Sequence, residues 1–164
     1  MRKDRPAYRM LLVGLLSLNF GIVFFDRNAL NFLMPFVQPD LNLSNTEIGL
    51  LASALSFTWA ISGYYLGAAS DRSGKRKSFL VAAIIAFSLC SVLSGLATSF
   101  LFLLGARLLM GAAEGSILPI SQSLTASEVP PEKRGLAMGV MQNFGSNLLG
   151  SFVAPVALVA LATW

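Results

Sequence analysis

The sequence predicts an all-α membrane protein that crosses the bilayer as five helices, and three observations carry this. Of the 164 residues, 55% are hydrophobic and 12% charged, with a mean hydropathy of +0.68, whereas a soluble domain carries about 25% charged residues. Five apolar stretches reach the roughly 20 residues that a helix needs to cross the hydrocarbon core with every backbone hydrogen bond closed inside it. Ten of the twelve Lys and Arg residues fall in segments that this arrangement places on one side. The same figures exclude disorder and a soluble enzyme. A single cysteine, Cys90, excludes a disulfide framework, and the absence of histidine leaves no ligand set for a metal or haem. No nucleophile and base stand in a catalytic arrangement, so no catalytic residue is expected.

The spans run over 10–36, 48–70, 78–98, 100–126 and 136–164. The first follows a basic segment, as a secretory signal does, but no small-residue cleavage site follows it and four more spans do; it reads as a retained helix. The second and third are separated by a basic loop, the third and fourth by a tight turn near Ser99, and Pro130-Pro131 breaks the chain before the fifth. Arg2, Lys3, Arg5 and Arg9 precede the first span; Arg72, Lys75, Arg76 and Lys77 follow the second; Lys133 and Arg134 follow the fourth. The opposite loops, 38–47 and the turn at Ser99, hold no Lys or Arg, so the positive-inside rule puts the N-terminus in the cytoplasm and Trp164 at the outer interface. The net charge of +4 and pI near 9.6 therefore report orientation in a lipid bilayer, and no nucleic-acid partner is expected.

Between the second and third spans the chain reads Gly67-Ala-Ala-Ser-Asp71-Arg72-Ser-Gly74-Lys75-Arg76-Lys77. Gly67 allows close helix contact, Ser73-Gly74 makes a turn that tolerates positive φ, and the basic cluster suits an anionic leaflet. Asp71 is the anomaly. It ends a helix whose C-terminal dipole prefers a cation, so something must compensate it. The string resembles the Gly-x-x-x-Asp-Arg-x-Gly-(Arg/Lys)-(Arg/Lys) loop of the major facilitator superfamily, at the same place between helices two and three. The resemblance implies that Gly67, Asp71, Arg72, Gly74, Lys75 and Arg76 form a gating loop without substrate contact. A second match, Arg107-x-x-x-Gly111-x-x-Glu114-Gly115-x-x-x-Pro119 followed by Pro131-Glu132-Lys133-Arg134-Gly135, together with Asp26-Arg27 late in the first helix, looks like the anion:cation symporter branch. That branch implies a small organic anion as substrate (a sugar acid, uronate or aromatic acid), a proton as coupling ion with no other cofactor, and a bacterial inner membrane. The family has twelve helices and more than twice this length, so the resemblance implies part of an N-terminal six-helix bundle whose partner is the remaining helices.

Four ionisable residues lie inside spans: Asp26, Arg27, Arg107 and Glu114. Each costs about 2.5 to 3.5 kcal/mol at the bilayer centre, which calls for a function or a tight pairing. Arg107 and Glu114 share nearly one helix face about 10 Å apart along the axis, too far for a direct bridge. The four sum to zero when ionised. An incoming carboxylate unbalances them, and protonating a buried carboxyl restores balance, a physical route to proton and anion symport. On this reading Arg27 and Arg107 bind the substrate carboxylate, and Asp26 and Glu114 couple the proton. The alternative is structural: Arg27 paired with Glu114 and Arg107 with Asp26. Gln142, Asn143 and Asn147 on the fifth span either bond substrate hydroxyls or hold helices together.

Two other functions compete. A drug/proton antiporter shares the gating loop, but its Gly-x-x-x-Gly-Pro-x-x-Gly-Gly stretch is absent: Gly145-Ser-Asn-Leu-Leu-Gly150 stands there, and proline comes only at Pro155. A truncated, non-transporting membrane protein is the second, because alternating access needs two helix bundles around a midplane site.

Overall fold

The computed structural model describes residues 6–162, so Arg2, Lys3, Arg5 and Trp164 lie outside the described residues. The chain folds into α1 (Pro6–Asp40), α2 (Asn45–Ser73), α3 (Arg76–Gly95), α4 (Phe100–Glu114), α5 (Ile117–Glu128) and α6 (Pro131–Gly139), then two π-helical segments (Val140–Phe144 and Ser146–Val153) and α7 (Ala154–Ala162). The first three helices contain the first three predicted spans to within a few residues, and α4 with α5 forms the fourth. The fifth is one helical run of changing pitch.

Local chemistry sets the ends. After α1, Asn42 takes a left-handed conformation (φ 51°), which lets the Leu43 N–H donate to the Gln38 carbonyl at 2.9 Å. Ser44 then opens α2 with a reciprocal cap: its hydroxyl accepts from the Glu47 N–H at 3.3 Å, and its own N–H donates to Glu47 Oε2 at 2.8 Å. Gly74 closes α2 at φ 66°, as the Ser73-Gly74 turn predicts. The Ser99 hydroxyl caps α4 by accepting from the Phe102 N–H at 3.3 Å.

The fourth span is not continuous. The ladder holds as far as Gly115 N–H to Gly111 O at 3.0 Å and resumes with Ile120 N–H to Ser116 O at 3.2 Å. Pro119, which has no N–H to offer the Gly115 carbonyl, stands between. The helix consequently opens directly after Glu114.

The chain divides into two compact units, one from Pro35 to Ile120 and one made of the residues up to Met34 and from Ser121 onward. In the former, α4 packs against α2 and α3. Leu51 and Leu55 of α2, Leu80 and Phe87 of α3, and Leu103 and Met110 of α4 are buried there. Gly111 and Gly115 make the α2 contact possible: a side chain on Gly111 would collide with the Leu55 carbonyl and Thr58 Oγ1, and one on Gly115 with the Trp59 carbonyl. Ser62 adds a hydrogen bond from its hydroxyl to the Ala112 carbonyl.

In the other unit α1 and the fifth span run side by side. Gly145 lies on the backbone of Ser17, and Gly150 lies against Phe24 and Asn28. Gly63 and Gly67 on α2 also contact a neighbour, whereas Gly135 and Gly139 have none within 4 Å among the described residues, because they face outward from α6.

Pro6–Asp40, Arg76–Gly95 and Phe100–Glu128 are long and apolar enough to cross a membrane. Two of them carry exposed apolar stripes: Leu11, Leu15, Leu18 and Ile22 on α1, and Val81, Ile85, Leu89 and Val92 on α3. The 29-residue α2 carries more hydroxyls. Ser53, Ser56 and Thr58 return theirs to carbonyls of their own helix at 2.8, 2.9 and 3.1 Å, which removes the cost of an unsatisfied polar group in hydrocarbon.

Candidate functional site

The loop after α2 resolves the anomaly of Asp71. Arg76, in the first turn of α3, donates from Nε to Asp71 Oδ1 at 2.8 Å. The turn that brings it there is made by left-handed Gly74 and by Ser73, whose hydroxyl donates to the Ser70 carbonyl at 3.0 Å and accepts from the Lys75 N–H at 3.3 Å. The bridge neutralises a carboxylate at a helix C-terminus and a cation at a helix N-terminus at once, both unfavourable alone. Asp71, Arg72 and Lys75 are exposed, so the loop presents its charges outward. Gly67, one turn earlier, is buried against the Pro119 ring, its hypothetical Cβ 3.4 Å from Cβ and Cγ of that residue.

On α4 the two ionisable residues lie deep. Arg107 is 5% exposed and Glu114 2%. They share the buried face with Leu103, Met110 and Gly111, the three-and-four spacing that a helix stripe requires. Seven residues of rise separate them by about 10 Å along the axis. Met110 lies between, and Arg107 Nη1 donates to its Sδ at 3.6 Å. Glu114 is the last residue before the helix opens at Gly115, whose carbonyl lies 3.0 Å from where a Gly63 Cβ would be. A buried carboxyl thus adjoins the one place in this span where the backbone ladder is interrupted.

In the other unit, Asp26 and Arg27 are half-buried on α1. The next residue, Asn28, donates from Nδ2 to the Gly150 carbonyl at 3.5 Å and ties this stretch of α1 to the fifth span. Gln142 is half-buried. Asn143 and Asn147 are exposed and line one groove of about 640 Å³ with Gly135, Gly139 and Phe144. They share a face as their spacing predicts, and it is not the face of Gly145 and Gly150 that meets α1. Asn143 returns an amide proton to the Gly139 carbonyl at 3.1 Å.

Asp26, Arg27, Gln142, Asn143 and Asn147 therefore belong to one unit, while Arg107, Glu114 and the loop belong to the other. Two polar residues escaped the sequence reading. Asn28 had a signal, an amide beside two intramembrane charges; Ser17, a lone serine in an apolar helix, had none. Among the described residues, no group of three His, Cys, Asp or Glu side chains comes together to hold a metal.

The Major Facilitator Superfamily model matches residues 16–164. The hexuronate transporter of Bacillus subtilis strain 168 is 37% identical over 144 residues, covering 87% of this chain and 34% of that protein. A probable sulfoacetate transporter of Cupriavidus necator is 29% identical over 160 residues, covering 98% of this chain and 37% of that one. Among solved structures, a bacterial homologue of the human lysosomal transporter Spinster, inward-facing and occupied, superposes with a TM-score of 0.90 at 27% identity, over 98% of this chain and 34% of its own. The chain spans about a third of the length of the relatives it matches.

Proposed function

Because the chain belongs to the major facilitator superfamily, we propose that it contributes the anion-binding and proton-coupling groups of a symporter for a small organic acid of the sugar-acid, uronate or aromatic-acid class. It is a multi-pass integral membrane protein of a transporter family, not an enzyme. The observation that carries the proposal is the pair on α4: a guanidinium and a carboxyl, both almost fully buried, on one face of an apolar helix. Charges in such a place are kept for ion pathways and proton relays. The names of the hexuronate and sulfoacetate relatives point to the same ligand chemistry, a compact anion.

In this reading Arg107 and Arg27 hold the carboxylate, the planar guanidinium matching it with two parallel hydrogen bonds. Glu114 and Asp26 take up the proton that balances the incoming charge. Gln142, Asn143 and Asn147 bond substrate hydroxyls. Asp71, Arg72 and the basic residues around Gly74 latch the cytoplasmic side, and in this reading the N-terminus lies inside, in a bacterial inner membrane.

The test uses a complete transporter. The matched N-terminal third of the B. subtilis hexuronate transporter is replaced by this chain, and uptake of labelled glucuronate, galacturonate and an aromatic acid is followed in energised vesicles. Accumulation driven by an inward proton gradient and abolished by Arg107→Ala supports the reading. Uptake indifferent to the proton gradient refutes the coupling, and proton-driven extrusion of hydrophobic cations instead of acid uptake identifies a drug antiporter.

A further inference from the structure

The backbone of the fifth span meets α1 at five-residue intervals. The Val140 carbonyl accepts from the Ser17 hydroxyl, the Gly145 N–H donates to the same hydroxyl, and the Gly150 carbonyl accepts from the Asn28 amide. Gly150 also packs on Phe24. On α1 the contacting residues are Ser17, Phe24 and Asn28, spaced by seven and four, the repeat of an ordinary helix face. An α-helix cannot answer with a spacing of five, because at about 100° per residue each five-residue step turns the contact about 140° away. A π-helix can, since its hydrogen bonds join residues five apart and so stack them. The span is π-helical over Val140–Phe144 and Ser146–Val153, the stretch that carries all three contacts. No proline lies inside that stretch to impose the change of pitch. Ser17, 3% exposed, stands at its centre.

Pitch decides which way two amides point. Counted from Val140 at α pitch, Asn147 comes round to within about 20° of the Val140 direction and Asn143 to within about 60°, so both turn toward α1. At the pitch observed, Gly145 and Gly150 are buried against α1, while Asn143 and Asn147 are exposed on the open face. We infer that Ser17 is a positioning residue for these amides: its hydroxyl, seated between Val140 and Gly145, holds the span at five-residue pitch and keeps Asn143 and Asn147 turned away from α1, toward the hydroxyls of a substrate. A serine that acts through backbone pitch thereby sets the affinity for polyhydroxylated acids. Its effect on transport rests on the reading of Asn143 and Asn147 as ligands of substrate hydroxyls; the rotation does not.

The rotation is read on the chain itself, in detergent. In a Cys90→Ser background, Asn147→Cys should react readily with a charged maleimide, and adding Ser17→Ala should slow the reaction severalfold as position 147 turns toward α1. Asn28→Ala, which frees the Gly150 end of the seam, should act in the same direction and reads the rotation where Ser17→Ala does not accumulate. The consequence is read in the chimeric transporter. Ser17→Ala should raise KM for glucuronate about fivefold, the worth of one hydrogen bond to substrate, and leave Vmax per folded transporter unchanged. Labelling indifferent to both Ser17→Ala and Asn28→Ala overturns the inference, as does a fall in Vmax at constant KM, the mark of a merely structural serine. If Asn143→Ala and Asn147→Ala leave KM unchanged, the reading of the amides falls and the positioning role falls with it. If they raise KM and Ser17→Ala does not, the positioning role alone is overturned.

Discussion

The hydroxyl of Ser17 stands inside the backbone ladder of another helix. It accepts the Gly145 N–H at 3.0 Å and donates to the Val140 carbonyl at 3.1 Å, so one oxygen bridges the two groups that an i to i−5 hydrogen bond would join directly. The π-helical segments lie on either side of Gly145, which matches the general cause of such irregularities, a side chain inserted into the ladder. Only glycine fits at 145, because a Cβ there would occupy the Ser17 carbonyl.

Ser17→Ala should therefore strand a buried N–H and a carbonyl in an apolar environment, at a cost of about 1 to 3 kcal/mol. Thermal unfolding in detergent followed by circular dichroism measures it. Gly145→Ala should cost more, since backbone must move; a Ser17→Ala protein as stable as the parent would deny the bridge any energetic weight.

Gly111→Leu and Gly115→Leu should separate α4 from α2, because each new side chain meets α2 backbone and not a yielding side-chain tip. Overpacking of this kind costs about 1 to 3 kcal/mol or more. Cysteine crosslinking between α2 and α4 should fall in both. Gly135→Leu, with open space around it, should leave the crosslink intact.

In the chimeric transporter, Glu114→Gln should keep substrate binding and lose proton-driven accumulation, since the amide preserves shape and removes the titrating group. Arg107→Lys should weaken binding about tenfold or more, because an ammonium does not reproduce the paired hydrogen bonds of a guanidinium. Accumulation that stays proton-dependent in Glu114→Gln removes Glu114 from the coupling role.

Asp71→Asn breaks a bridge that is half in water, so its effect on stability should be small, about 0 to 1 kcal/mol. If the loop is a latch, the same change in the chimera should still slow uptake severalfold. A stability loss that accounts for the whole transport defect would reduce the loop to a structural turn.

The cap on α2 should respond to acid. Backbone and side-chain hydrogen bonds from Ser44 hold the Glu47 carboxyl below its ordinary range. A depressed carboxyl contributes stability that is complete above its unfolded pKa and is lost as pH falls through the folded value. Amide exchange at the start of α2 should thus accelerate below the ordinary carboxylate range, after correction for intrinsic rates, and Glu47→Gln should flatten that response.

The sequence by itself determined the membrane class, the helices that carry the first four predicted stretches, the left-handed turn at Gly74 and the shared face of Arg107 and Glu114. Each follows from local rules: a long apolar run, a missing Cβ, a seven-residue separation. It also posed the question of Asp71 correctly, since a carboxylate at a helix C-terminus needs a cation. Only the tertiary structure decided that Arg76 supplies that cation, that Gly111, Gly115, Gly145 and Gly150 carry helix contacts while Gly135 and Gly139 do not, and that Ser17 and Asn28 bond to the fifth span. Those outcomes depend on which faces of distant segments meet. A glycine, a serine or an asparagine in an apolar helix reads the same whether it faces lipid or another backbone, because its role belongs to the neighbour and not to its own place in the chain.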